Sequence, residues 1–127
     1  MDYSITCVRN KVDNTYSFIN KYGYLDCSIC KNYIRIDDIL VRSYERHCGI
    51  GSLLLRHLDG LALKFELPIR AVIDINVVKF YLKNGYCLYE RPNGQTLVTK
   101  SLRCMEYIAI DILEDEEENN SSCCHIC

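Results

Sequence analysis

Two glycines, Gly49 and Gly51, stand one residue apart where a leucine-rich helix is predicted to begin. Glycine loses more conformational entropy on ordering than any other residue, so such a pair indicates that the backbone itself comes close to another group. The first N–H groups of a helix lack intrahelical partners and lie at the positive end of the helix dipole, which favours an anion. These residue types in this position predict a site for a phosphate-bearing ligand.

Two well-known phosphate-binding loops do not fit this segment. The P-loop requires lysine and then serine or threonine directly after its last glycine, whereas Ser52 and Leu53 follow Gly51 here. The dinucleotide-binding fingerprint requires a third glycine, but that place is held by Leu54. The glycine pair therefore belongs to another kind of phosphate site.

A third pattern fits the six residues from 46 to 51: Arg or Gln, two residues, Gly, one residue, then Gly or Ala. It resembles the acyl-CoA loop of the GNAT (Gcn5-related N-acetyltransferase) superfamily, and Leu40 and Val41 close the preceding strand at the expected distance. A second segment, NVVKFYLKNGY at 76–86, resembles the family's later segment N..A..FY.K.GF. Together the two resemblances cover about residues 33 to 90.

The resemblance implies how the chain would bind acyl-CoA. Backbone amides of the loop would hold the pyrophosphate, strand backbone at 40–41 would face the pantetheine arm, and Asn76 would lie near that arm. Asn76 would serve equally as a helix cap. The cofactor-binding residues implied in this way are Leu40, Val41, Arg46, His47, Cys48, Gly49, Ile50, Gly51, Ser52 and Asn76.

The resemblance also implies the reaction: acetyl-CoA, as co-substrate, gives its acetyl group to a primary amine by direct attack, without a metal. Such a transfer passes through a tetrahedral intermediate and expels a thiolate, so it needs a deprotonated amine and often an acid for the sulfur. Tyr81 occupies the position that commonly protonates the thiolate. Asp38 and Asp74 lie near the carboxyl ends of the two strands that splay apart in the family, and either could accept the amine proton.

Two departures from the family's habit affect these expectations. The family favours glycine at 47 and a basic residue at 48, whereas His47 adds a side chain and Cys48 removes a charge. About thirty residues precede the acyl-CoA strand, roughly half the usual number, so the helices that wall the acceptor site are expected to be reduced. The acceptor site is then open, completed by a homodimer partner, or absent. In the last case the chain is a non-catalytic acyl-CoA-binding or protein-interaction module.

The elements that must position these residues are predicted from hydrophobic periodicity and turn residues. Strands are predicted at 3–10, 22–30 and 33–41, the last two forming an antiparallel hairpin, with a helical turn or loop at 10–23. In the strand at 33–41, simple alternation would place Asp38 and Leu40 on the face of Ile34 and Ile36.

From Gly51 the apolar residues change to helical spacing, which predicts a helix ending near Glu66 with Asp59 on its solvent side. A buried strand follows at 69–75, then a short helix capped by Asn76, and strands at 86–90 and 106–112 around a turn at 91–95. The spacing at 96–104 is closer to that of a helix than to that of a strand, and no element is assigned there.

These elements and the resemblance together predict one mixed α/β (α+β) domain at 1–113 with the GNAT fold. Its centre would be a mixed, mostly antiparallel twisted sheet that contains one splayed parallel pair and has flanking helices. An acidic, cysteine-rich segment at 114–127 has few apolar residues to bury and is predicted to be a disordered tail.

Composition narrows the classes of partner and compartment. The 127 residues are 49% hydrophobic, enough for one core, and a net charge of −2 does not favour a nucleic-acid groove. No apolar run is long enough to span a membrane. Nine cysteines without an apolar leader indicate reduced thiols in the cytoplasm or nucleus. Cys27 and Cys30 would point to opposite faces of a strand, which disfavours a joint metal site. The predicted partners are acetyl-CoA and an amine.

Overall fold

The computed structural model describes residues 3–42, 49–91, 93–110 and 112–114. Its strands and helices are β1 (Thr6–Asn10), β2 (Thr15–Asn20), β3 (Gly23–Ile29), β4 (Ile34–Val41), α1 (Ile50–Phe65), β5 (Ile69–Ile73), α2 (Val78–Lys83), β6 (Cys87–Glu90), β7 (Thr96–Lys100) and β8 (Ile112–Glu114). Two 3-10 turns, Ile75–Val77 and Leu102–Cys104, precede α2 and follow β7.

The strands form one sheet in the order β6-β7-β5-β4-β3-β2-β1-β8. The β4–β5 and β1–β8 pairs are parallel, and the other neighbours in this order are antiparallel. The predicted mixed, mostly antiparallel sheet is therefore confirmed. No helix in the described ranges has the length and apolar character needed to cross a membrane.

The first four strands form a meander, and one sequence prediction within it is wrong. Residues 15–20 form β2, where a helical turn or loop was expected. Tyr16, Phe18 and Asn20 are buried while Ile19, between the last two, is exposed, which is strand alternation. Asn14 adopts a left-handed conformation with φ 56° in the turn before β2, so the short link needs no helix. The predicted β3–β4 hairpin is confirmed.

The helix predicted to begin at Gly51 is confirmed as α1, which packs against β2, β3 and β4. Leu54, Leu58 and Leu61 are fully buried along this face. The prediction that Asp59 faces solvent is wrong. Its carboxylate is buried in an ion pair with the Lys100 ammonium at 2.7 Å, and this opposite charge is what makes the burial tolerable.

The segment after α1 follows the predicted order with two corrections. In β5, Ile69 and Ala71 are buried but Val72 is 53% exposed, so the strand is covered on one face only. The helix cap is supplied by Asp74, whose Oδ1 accepts a hydrogen bond from the Asn76 backbone N–H at 2.8 Å. The interpretation of Asn76 as the cap is therefore wrong.

Near the C-terminus, residues 96–100 form β7, which settles the segment that periodicity left open. The strand predicted at 106–112 is wrong over most of its length, since β8 begins only at Ile112 and pairs with β1. Glu106 instead lies against α1, with its carboxylate 3.0 Å from Arg56 Nε and its N–H 3.4 Å from Asp59 Oδ2. Beyond Glu114, the predicted tail lies outside the described residues.

Candidate functional site

A cleft opens between the two parallel strands at the centre of the sheet. β4 and β5 pair only at Ile34 with Ile69 and at Arg35 with Arg70. Beyond these residues the strands separate around a space of about 340 Å³, called the β4–β5 cleft below. Its lining residues are Ile36, Asp37, Asp38, Ile39, Ala71, Val72, Ile73, Asp74, Val77, Phe80 and Tyr81. The predicted splayed pair is confirmed.

A β-bulge in β4 determines which side chains reach the cleft from that strand. Asp26 of β3 is opposite Asp38, but its neighbour Cys27 is opposite Ile36, so Asp37 is the extra residue. The bulge returns Ile39 to the buried face, opposite Leu25, and turns Asp38 to the other face. The simple alternation predicted for this strand is therefore wrong beyond Ile36.

Tyr81 places a hydroxyl group at the wall of the cleft. The residue is only 3% exposed, and its ring packs edge-on against Phe80 and Tyr86, each with ring centroids 5.3 Å apart. Its hydroxyl has no hydrogen-bond partner among the described residues. Burial, with a smaller contribution from the negative charge of Asp38, raises the pKa of Tyr81 to about 12. The phenol therefore carries its proton at neutral pH.

Asp38 and Asp74 both line the cleft, so the structure brings the two predicted carboxylates together with Tyr81. Their hydrogen bonds differ. Asp38 Oδ2 accepts from the Tyr24 hydroxyl at 2.7 Å, whereas Asp74 Oδ1 accepts from the Asn76 backbone at the start of the 3-10 turn. Asp74 thus caps the 3-10 turn, whereas Asp38 is hydrogen-bonded to a side chain of the neighbouring strand β3.

The start of α1 carries the predicted phosphate-loop glycines. Gly49 has φ 81°, in the left-handed region that favours glycine, and no atom of the described residues would lie within 4 Å of a Cβ there. Gly49 is also the N-cap residue and has no side chain with which to cap the helix. Gly51 is glycine for a different reason, because a Cβ would lie 2.9 Å from the Phe80 ring of α2. Ile50 is buried and Ser52 half-buried in the same turn.

The remaining predicted cofactor residues fall into two groups. Arg46, His47 and Cys48 lie outside the described residues. Leu40 and Val41 do not line the cleft. Leu40 is 49% exposed, and Val41 Cγ2 lies 3.7 Å from where a Gly51 Cβ would be. Val41 therefore lies close to the first turn of α1.

Asn76 is exposed and does not line the cleft. Its match to the family segment also fails in spacing. The pattern has five residues between its asparagine and the Phe-Tyr pair, whereas three separate Asn76 from Phe80. Counting back from Phe80 by that pattern reaches Asp74, the residue that does line the cleft.

Sequence reasoning missed Tyr24, which is the side chain that contacts Asp38. The available signal was the hairpin register, which places β3 beside β4, but the bulge changes which β4 residues face Tyr24. Within the described part of the chain, no group of three or more His, Cys, Asp and Glu side chains could hold a metal ion.

No protein-family model matches the sequence, and no curated protein matches it either. Solved structures do match. A GNAT-family acetyltransferase from Staphylococcus aureus superposes with a TM-score of 0.63 at 16% identity, covering 72% of this chain and 70% of that chain. The chain has the GNAT fold.

Two further solved structures match the chain. PaiA N-acetyltransferase from Thermoplasma acidophilum, solved in complex with coenzyme A, matches with a TM-score of 0.60 at 17% identity, over 68% of this chain and 59% of that chain. The anti-CRISPR protein AcrVA5 matches with a TM-score of 0.54 at 22% identity, over 66% of this chain and 97% of that chain. At identities this low, the superpositions establish the fold and not the activity.

Proposed function

We propose that the protein is an N-acetyltransferase. It transfers an acetyl group from acetyl-CoA to a primary amine of a small molecule or a protein, by direct attack in a ternary complex. The observation that carries the proposal is the β4–β5 cleft of a GNAT fold with a protonated, otherwise unpartnered tyrosine hydroxyl at its wall. A GNAT-fold neighbour with coenzyme A bound supports acyl-CoA as the ligand.

The cofactor would enter between β4 and β5 with its pyrophosphate at the start of α1. Because the N-cap residue is a glycine, no N-cap side chain competes with phosphate oxygens for the first N–H groups of α1. Gly49 supplies the left-handed residue that turns the chain into the helix. Arg46, His47 and Cys48 complete the loop in this proposal.

In the reaction, the amine nitrogen attacks the thioester carbonyl and the C–S bond then breaks. The leaving thiolate takes the hydroxyl proton of Tyr81, and a carboxylate takes the proton that the amine loses. Three carboxylates line the cleft, and Asp37 is ion-paired with Arg35, so Asp38 and Asp74 are the candidates. Every proton is accounted for without a metal.

The first test is thermal melting with and without CoA or acetyl-CoA, because a ligand that binds the native state raises the melting temperature. The second is release of free thiol from acetyl-CoA with spermidine, an aminoglycoside and a lysine-containing peptide as acceptors. A raised melt and thiol release that depends on an amine support the proposal. A melt that neither ligand raises overturns it.

A non-catalytic acyl-CoA-binding or protein-interaction module is the second candidate. It is favoured by one observation: residues 3–42 contain four strands and no helix, so no helix from this part walls an acceptor site. CoA binding without thiol release for any acceptor would support the module. A homodimer in solution would supply the missing wall, and light scattering measures that mass directly.

A further inference from the structure

Tyr24 lies on β3, the strand next to β4, and contacts Asp38, which lines the cleft. In the β3–β4 register Tyr24 is opposite Leu40, and Asp26 is opposite Asp38. The Tyr24 hydroxyl therefore crosses diagonally to Asp38 and donates to its Oδ2 at 2.7 Å. Aromatic side chains can span such a diagonal between neighbouring strands. The contact depends on the bulge, because an unbulged β4 would turn Asp38 to the opposite face.

We propose that Tyr24 is a positioning residue for acetyl transfer, which holds the Asp38 carboxylate at the β4–β5 cleft so that its free oxygen accepts the proton of the acceptor amine. This inference rests on the proposed acetyltransferase function. Tyr24 is not among the site residues predicted from the sequence, and its contact favours Asp38 over Asp74 as the base.

The neighbouring carboxylates have other partners, which makes the Tyr24 contact specific. Asp26 Oδ1 accepts from Ser17 at 2.7 Å, and Asp37 Oδ1 lies 2.7 Å from the Nε of Arg35. For Asp38, Tyr24 is the one side-chain donor among the described residues. Oδ1 of Asp38 is thus left for a proton from the cleft.

Asp38 is better placed than Asp74 to act as the base. Asp74 Oδ1 is engaged at the start of the 3-10 turn, so proton uptake there would weaken the cap. The charge of Asp38 also contributes to the raised pKa of Tyr81, which places base and acid within electrostatic reach of each other.

The proton balance of the step is simple. As the amine nitrogen forms the C–N bond, its proton passes to Asp38 Oδ1, and the thiolate released by C–S cleavage takes the proton of Tyr81. The Tyr24 proton stays on Tyr24 throughout. Its hydrogen bond orients the carboxylate and leaves Oδ1 as the oxygen that takes the amine proton.

The titratable groups facing Asp38 come from four places in the fold. They are Tyr24 and Asp26 on β3, Asp37 on β4, Asp74 after β5 and Tyr81 on α2. A substitution that tests Tyr24 must therefore leave the charges of these other groups unchanged. Tyr24→Phe does so, since it removes one hydroxyl and leaves every charge in place.

The experiment measures steady-state acetyl transfer to spermidine and to a lysine-containing peptide. Tyr24→Phe should lower kcat roughly tenfold, the size expected for one hydrogen bond to a charged group. The KM for acetyl-CoA and the melting temperature should be unchanged. A purely structural role would not lower kcat while leaving the KM and the melting temperature unchanged. Tyr89→Phe, an exposed tyrosine on β6, is the matched control.

A double variant and a second pair of substitutions sharpen the result. Tyr24→Phe should add no further loss of kcat to Asp38→Asn, because the contact acts through Asp38. Asp38→Asn should be slower than Asp74→Asn, since asparagine caps a helix as well as aspartate does.

The outcomes separate this inference from the function on which it rests. If the wild-type protein releases thiol and Tyr24→Phe keeps the wild-type kcat, Tyr24 is no positioning residue and the acetyltransferase proposal stands. An additive loss in the double variant also overturns the inference alone. If the wild-type protein transfers acetyl to neither amine, the proposed function fails and the role of Tyr24 fails with it.

Discussion

The two halves of β4 belong to one strand but have different surroundings. Ile34 and Ile36 in the first half are buried, and this half pairs with β3 on one side and β5 on the other. The second half, Asp38 onward, pairs with β3 alone, and its residues Asp38 and Ile39 line the cleft. One strand therefore serves as core at its start and as site wall at its end, and the bulge at Asp37 marks the change.

A small sheet can open a cleft between two strands without losing its core. The first half anchors the parallel pair, so the second half can separate from β5 while β3 still satisfies its backbone on the other edge. The following substitutions test the two halves separately.

The largest expected effect is on chemistry in the open half. Tyr81→Phe should lower kcat about a hundredfold, since loss of a general acid typically costs at least that much. The melting shift produced by CoA should remain, because the ring packing is preserved. The measurements are steady-state thiol release and thermal melting. Equal loss of binding and turnover would contradict the acid role.

The next effect concerns the core in the paired half. Ile34→Ala should lower the free energy of unfolding by about 3 kcal/mol, the usual cost of a large-to-small change at a fully buried site. Leu40→Ala, on the same strand but 49% exposed, should change it by less than about 0.5 kcal/mol. Urea denaturation measures both. Similar losses at the two positions would mean that the halves of β4 do not differ as described.

A smaller effect is expected where the open half meets the helices. Gly51→Ala should lower stability by about 1 kcal/mol, because its Cβ would press on the Phe80 ring at 2.9 Å. Phe80→Leu in the same chain should restore part of the loss by making room. If the second substitution restores nothing, the packing of Phe80 is not the reason for glycine at this position.

The smallest expected change is one of pH dependence. The pKa of Tyr81, raised to about 12 by burial and by Asp38, keeps the acid protonated well above the usual tyrosine range. The Tyr81-dependent part of kcat should therefore persist above pH 10 and decline only toward about pH 12. A pH profile compared with that of Tyr81→Phe isolates this part. A decline centred near pH 10 would show that Tyr81 is not buried as described.

Much of the fold could be predicted because local pattern and tertiary packing agree. The β3–β4 hairpin and α1 follow from alternation and from helical spacing that the core then uses. The bulge was missed although the sequence contains its signal, the consecutive polar pair Asp37 and Asp38 in an alternating run. Either residue could have been the extra one, and only the register with β3 decides.

The parts that failed depend on distant partners. The burial of Asp59 requires Lys100, 41 residues away, and no helical periodicity carries that information. In the site, Asp38, Asp74 and Tyr81 could be named from the sequence, and the structure brings them to one cleft. Tyr24 could not, because its contact with Asp38 exists only once the bulge has set the register.

The most direct measurement of the central claim is a crystal structure of the protein with coenzyme A. The account predicts the pantetheine arm between β4 and β5, its sulfur within hydrogen-bond reach of the Tyr81 hydroxyl, and the pyrophosphate at the start of α1. Coenzyme A bound elsewhere, or a sulfur remote from Tyr81, would contradict it.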